Sequence, residues 1–189
     1  MVSSMTARIV SVNVGQPQIV QWNGNEIITS IFKTPTRGQV RVHKLGLEND
    51  AQADLTVHGG PRKAIYAYPS EHYEFWKSEL GDRQLSWGYF GENLTTQDIL
   101  ENTVHVGDRF RVGTAEVMVT QPRFPCYKLG IRFCDMNMVR KFQISGRSGF
   151  YMAVKKDGTV EEGDMIELLH QETGNPTITQ VFMSQNETG

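Results

Sequence analysis

Short aliphatic and β-branched runs, punctuated by glycine-bearing turns, recur along most of this chain and confine it to a mainly β fold. Residues 7–14 read as a first strand. Residues 19–22 and 26–32 flank Asn23-Gly24-Asn25, and Asn-Gly is a strong hairpin signal because both residues accept positive φ. Further strands are expected over 40–45 and 63–68, and over 108–112 and 115–120 around Gly113-Thr114. Residues 149–155 and 159–162 flank Lys156-Asp157-Gly158 as another hairpin, and 165–169 closes the set. So many short strands argue for a barrel-like or sandwich arrangement rather than βαβ units. Helices are few. Ser70 is placed to cap one that runs through Leu80 and stops at Gly81, and Asp135 to open another through Ile144 with Gly146 past its end. Asn175-Pro176 precedes an apolar stripe of Ile178, Val181 and Phe182, after which the polar residues 184–189 are expected to fray.

A length of 189 residues suits one domain with a full core, with or without a short appendage. The formal net charge of −2 gives no global field toward nucleic acid or anionic lipid, so an anionic ligand must be caught by a local cluster of donors. No apolar run is long enough to span a membrane, and residues 1–6 lack the pattern of a secretory signal. Two cysteines eight positions apart and five scattered histidines make neither a disulfide framework nor a structural zinc site. A reducing, cytoplasmic setting is the expectation, with no nucleic-acid or membrane partner.

One cysteine stands apart. In Gln121-Pro122-Arg123-Phe124-Pro125-Cys126-Tyr127-Lys128-Leu129, two prolines fix φ and lack a donor, so strand pairing should stop and a stiff loop should follow. Arg123 and Lys128 supply positive charge, which favours the thiolate, the form that serves as nucleophile and soft-metal ligand. Cys134 has no such frame and reads as structural.

Three other segments look like ligand-facing loops. Residues 54–63 place Gly59-Gly60 between His58 and the basic pair Arg62-Lys63; paired glycines let backbone N–H groups approach an anion, and the cations supply countercharge. Residues 89–95 offer the Asn93 amide and the Glu92 carboxylate. Residues 145–151 hold Arg147 between small residues, where it could meet a phosphate. Each has a plain alternative: a tight turn for the first, and turns with a solvated acid or a solvated arginine for the others. No phosphate-binding P-loop, nucleophile elbow, His-Glu-x-x-His helix or Cys-x-x-Cys pair is present. Redox chemistry at Cys126 would therefore draw its electrons from outside the chain or from a bound cofactor.

Taken in order, these segments resemble the MOSC domain family, the C-terminal module of molybdenum cofactor sulfurases, and within it the small stand-alone YiiM-like branch. The likeness rests on Lys33-Thr34-Pro35-Thr36, residues 54–61, 64–69 with Glu71-His72-Tyr73 and Phe75-Trp76, 90–94, 107–110, 121–129, 145–151 and Gly163-Asp164. It covers residues 7 to 169. The resemblance implies a β-barrel-like fold with a few peripheral helices, a single domain over 1–170 and a C-terminal tail over 171–189 with one short helix, reduced relative to longer relatives. It also implies that Cys126 ligates molybdenum of the molybdenum cofactor, or carries sulfur for it. Arg62, Lys63 and Arg147 are then candidates for the cofactor's phosphate. Lys33, His58, Gly59, Gly60, Asn93 and Arg123 join them as cofactor-facing candidates. One departure is Tyr127, where the family often has Trp after the cysteine.

The function this implies is a molybdenum-dependent oxidoreductase that reduces N-hydroxylated compounds, such as hydroxylamino purines, to amines, with Cys126 catalytic as the metal ligand. A separate electron-donor protein would re-reduce the metal. The alternative is a non-catalytic carrier of the cofactor, or of sulfur as a Cys126 persulfide, that delivers to an acceptor protein. No pyridoxal-phosphate domain is expected with the module, and the oligomeric state stays open, a homodimer being one possibility. A third reading, a cofactor-free thiol enzyme, would need His58 or His43 beside Cys126 as its base.

Overall fold

The computed structural model describes residues 7–51 and 59–186. Its centre is an eight-stranded sheet. In chain order the strands of that sheet are β1 (Arg8–Val14), β4 (Thr34–Thr36), β7 (Ile65–Pro69), β8 (Leu94–Gln97), β9 (Arg109–Val112), β10 (Ala115–Pro122), β11 (Phe150–Lys156) and β13 (Ile166–His170). Their spatial order is β13-β9-β10-β11-β7-β8-β1-β4, with β7 and β8 parallel and the other neighbours antiparallel. A three-stranded sheet is formed by β5 (Val40–His43), β6 (Gly46–Leu47) and β12 (Gly158–Val160).

The hairpin expected around Asn23-Gly24 joins β2 (Gln18–Trp22) to β3 (Asn25–Thr29), with φ of 49° and 77° at the two turn residues. A Cβ added at Gly24 meets no atom within 4 Å, so Gly24→Ala tests backbone strain alone. It is expected to cost about 1 kcal/mol, read as a lower urea midpoint with an unchanged slope.

The barrel-like expectation is corrected: among the described residues no sheet closes on itself. β1 and the segment leading into β13 approach through an isolated bridge, Arg8 to Met165, with bonds from Ile9 N–H to Asp164 O and from Ile166 N–H to Ala7 O. This seam is too short to form a ladder. The fold is mainly β with few helices, as the strand and turn pattern required.

Burial of β7 on both faces organises the core. Ile65 and Ala67 point into an aliphatic cluster with Val12, Leu94, Val117 and Phe150. Tyr66 and Tyr68 point the other way, into an aromatic cluster with Tyr73, Trp76, Phe90, Phe133 and Phe142. The phenol groups find partners there: Tyr66 OH donates to Ser148 O at 2.8 Å, and Tyr68 OH accepts from Trp76 Nε1 at 2.7 Å. The aromatic cluster is closed over by α1 (Glu71–Glu79), α2 (Tyr127–Phe133) and α3 (Asn137–Ser145). Gly146 stops α3 in the left-handed conformation, as its position suggested. α4 (Ile178–Asn186) buries Ile178 and Phe182 and continues through Ser184–Asn186, residues expected to fray. Cys134 ends α2 at φ 54° and is exposed, unlike the usual buried structural cysteine.

Candidate functional site

Strand β10 delivers the central loop of the site. Its pairing with β11 ends at Pro122, opposite Phe150, where the missing N–H stops the ladder. Cys126 follows in an extended conformation (φ −124°, ψ 171°), and α2 starts at the next residue. The stiff loop is therefore shorter than expected. The helix signal at residues 127–133 is weak because it has fewer than two turns and contains Gly130.

A cleft of about 110 Å³ brings Cys126 together with Lys33, Lys63, Asn93 and Arg123, and also with Asp50, Tyr66, Lys128 and Tyr151. Among the described residues, four cationic side chains thus face one carboxylate, although the chain as a whole carries −2. The cleft has the local anion-attracting field that composition alone did not show.

Arg123 is the most constrained of these cations. Its guanidinium stacks over the rings of Tyr66 and Phe142, 4.9 and 5.4 Å from the centroids. Nη1 is buried and has no hydrogen-bond partner. Burial opposes its charge, but Tyr66, Tyr151 and Cys126 outweigh that effect, and the group stays above its ordinary value. Burial also raises the Tyr66 and Tyr151 hydroxyls above theirs, so at neutral pH both are uncharged phenols that orient Arg123 without neutralising it.

Lys33 and Asp50 form a direct ion pair with side chains 8% and 4% exposed. Asp50 Oδ1 also accepts from Gly15 N–H at 2.8 Å, and Oδ2 from Asn93 Nδ2 at 2.8 Å. Asn93 Oδ1 accepts from Tyr66 N–H at 3.1 Å, so this amide ties the acid to strand β7. Burial lowers Lys33 below its ordinary value, while Asp50 and then Glu92 oppose that shift.

The remaining sequence candidates sit elsewhere. Arg62 is exposed on the 3₁₀ turn Pro61–Lys63; its carbonyl accepts from Thr120 Oγ1 at 2.6 Å, and it does not line the cleft. Arg147 lies 3.6 Å over the Phe75 ring and donates to Ser145 O at 3.1 Å, also away from the cleft lining. Gly60 starts the 3₁₀ turn at φ 91°, and Gly59 and Gly60 are half-buried but not among the lining residues. His58 lies outside the described residues. His43 is exposed on β5, 3.9 Å from Asp157, and does not reach the cleft as a base for Cys126. Asp50, Tyr66 and Tyr151 were missed as site residues. For Asp50 no local signal exists, since its partners are 17, 35 and 43 positions away. No group of three or more His, Cys, Asp or Glu among the described residues could hold a metal ion. No helix among the described residues is long and apolar enough to cross a membrane.

Comparison with known proteins shows the family of the chain. The MOSC domain profile matches residues 54–167. The chain is 45% identical over 161 residues to the protein YflK of Bacillus subtilis, covering 85% of this chain and 72% of YflK. It is 38% identical over 143 residues to YiiM of Escherichia coli, covering 75% of this chain and 64% of YiiM, a little under two thirds. A protein named reductase from Gibberella moniliformis is 33% identical over 151 residues, which cover 78% of this chain but 27% of that protein. The crystal structure of YiiM from Geobacillus stearothermophilus superposes with a TM-score of 0.80 at 34% identity, covering 96% of this chain and 85% of that one.

Proposed function

Because this chain belongs to the MOSC domain family, we propose that its cleft holds the molybdenum cofactor, with Cys126 as the protein's ligand to molybdenum, and that the loaded protein reduces N-hydroxylated compounds to amines. One observation carries this reading: a free thiol shares a single cleft with four cations, one of them Arg123 with a buried, unpartnered Nη1. The donor set fits a group that has its own metal ligands and ends in a phosphate. A soft thiolate suits a metal already held by sulfur, and an orphaned guanidinium N–H suits a phosphate oxygen. The relative named reductase, matched over 27% of its length, supports the oxidoreductase class.

When bound, the cofactor supplies a metal able to take up and pass on electrons. The protein's part is to hold and orient it. Arg123, fixed between Tyr66 and Phe142, and Lys63 and Lys128 at the cleft wall supply countercharge for the phosphate. Lys33 faces the same cleft with its charge already balanced by Asp50. Asn93 keeps Asp50 in register with β7. An external electron-donor protein completes the cycle.

The test is molybdenum and pterin content after expression in a host that makes the cofactor. Wild type is expected to carry close to one of each per chain and Cys126→Ser to lose at least ~90% of the metal, as removal of a metal ligand should. A wild type that stays empty after reconstitution with free cofactor would overturn the proposal.

A further inference from the structure

Cleaving an N–O bond reductively consumes protons as well as electrons, and the cleft contains one buried pair suited to provide them. Lys33 lies in the segment between β3 and β4, and its ammonium meets Asp50 directly. Three donors from separate parts of the chain, Gly15 N–H, Lys33 Nζ and Asn93 Nδ2, hold the Asp50 carboxylate in place. The charge of Lys33 is already balanced by Asp50, whereas Arg123 keeps a buried Nη1 without a hydrogen-bond partner. Lys33 is thus poorly placed to balance a phosphate and well placed to exchange a proton.

We propose that Lys33 is the general acid of the reduction and that Asp50 is the residue that positions it. This rests on the reductase reading above. The overall change is R–NHOH + 2 e⁻ + 2 H⁺ → R–NH₂ + H₂O. The electrons come one at a time from a carrier protein of the flavin or iron–sulfur class. As the N–O bond breaks, Lys33 Nζ gives its proton to the departing hydroxyl oxygen, which leaves as water. The nitrogen takes the second proton from solvent, and Lys33 is then reprotonated from solvent. Burial draws Lys33 below the usual lysine range, with Asp50 and Glu92 opposing the shift, so the ammonium is a better acid than a surface lysine. Arg123, Lys63 and Lys128 also line the cleft and favour release of the proton; among the described residues Cys126 and the neutral phenols Tyr66 and Tyr151 are the other titratable lining groups.

Lys33→Arg separates charge from acidity, since guanidinium keeps the ion pair with Asp50 but does not give up a proton near neutral pH. With an N-hydroxylated purine base and a chemical reductant, the variant is expected to retain wild-type molybdenum and pterin content and to lose kcat about 100-fold. Should the larger head disturb folding, Lys33→Ala is used instead, and added methylamine is expected to restore turnover in proportion to its concentration. A readout independent of turnover is the ¹⁵N NMR titration of Lys33 Nζ in unloaded protein. Its midpoint is expected below that of the surface lysines and lower again in Asp50→Asn, with the basic limb of the kcat profile moving the same way. Loaded, active wild type with an equally active Lys33→Arg, or with a Lys33→Ala that amine does not rescue, overturns this inference alone. A loaded wild type with no turnover overturns the reductase reading and this inference with it.

Discussion

Arg123→Met is expected to leave folding free energy within about 1 kcal/mol of wild type, or to raise it, while weakening retention of a phosphate-ended pterin about a thousandfold. The two halves of this result come from one feature. A buried guanidinium is normally tolerated because carboxylates or carbonyls use its donors, yet Arg123 has an orphaned Nη1 and faces neutral phenols. Methionine keeps much of the contact with the Tyr66 and Phe142 rings and removes the desolvated charge. Tyr66 keeps its own bond to Ser148 O, so the substitution leaves that hydroxyl satisfied. The charge is therefore better explained by a ligand than by the fold. If the ligand's phosphate meets Arg123, removing one partner of a buried charged pair should cost on the order of 4 kcal/mol of binding, which is the thousandfold above. Urea melts and the pterin retained after extensive dilution measure the two quantities separately. A variant destabilised by more than about 3 kcal/mol, or one that keeps its pterin, would make Arg123 a structural residue.

Much of this architecture was legible because its signals are local. The Asn23-Gly24 turn, the stop at Pro122, the Gly146 cap and the alternation of Ala115, Val117 and Val119 in β10 each depend on residues close together in sequence. Cys126 was legible for the same reason, since its prolines and cations are near neighbours. Sheet closure was not legible. Whether β1 pairs with β13 depends on strands some 150 positions apart, and the structure gives only a short seam there. The site shows the same division. Arg147 and Arg62 carry the same local signal as Arg123, a cation beside small or proline residues, but tertiary packing sends one onto Phe75 and the other to solvent. Asp50 shows the reverse. Nothing around it suggests a role, and its importance arises only when Gly15, Lys33 and Asn93 converge on it.

Glu92→Gln should be the most damaging near-isosteric change in the chain, lowering stability by about 4 kcal/mol. Glu92 is fully buried and accepts four hydrogen bonds. Oε1 takes the Tyr73 hydroxyl, Gly88 N–H at 2.8 Å and Thr95 Oγ1 at 2.9 Å, and Oε2 takes Phe90 N–H at 3.1 Å. Both carboxylate oxygens therefore face a backbone N–H. An amide must aim its NH₂ group at one of them, donor against donor, whichever way it is flipped. The loss would spread toward the cleft, since the next residue is Asn93, which orients Asp50. The effect should also depend on pH. Burial raises the Glu92 carboxyl above its ordinary 4.5, with Tyr73 and the backbone donors opposing that shift. The folded state then holds a proton that the unfolded chain releases, so stability falls as pH rises through that window. This contribution is fully present below the ordinary carboxylate value and is gone above the raised one. Glutamine cannot titrate and lacks that slope. The deficit of Glu92→Gln is thus expected to be larger at the acid end of the folded range than at its alkaline end, as read from urea midpoints at the two ends. An equal deficit at both would mean that Glu92 keeps its charge throughout and that its four donors, rather than burial, set its titration.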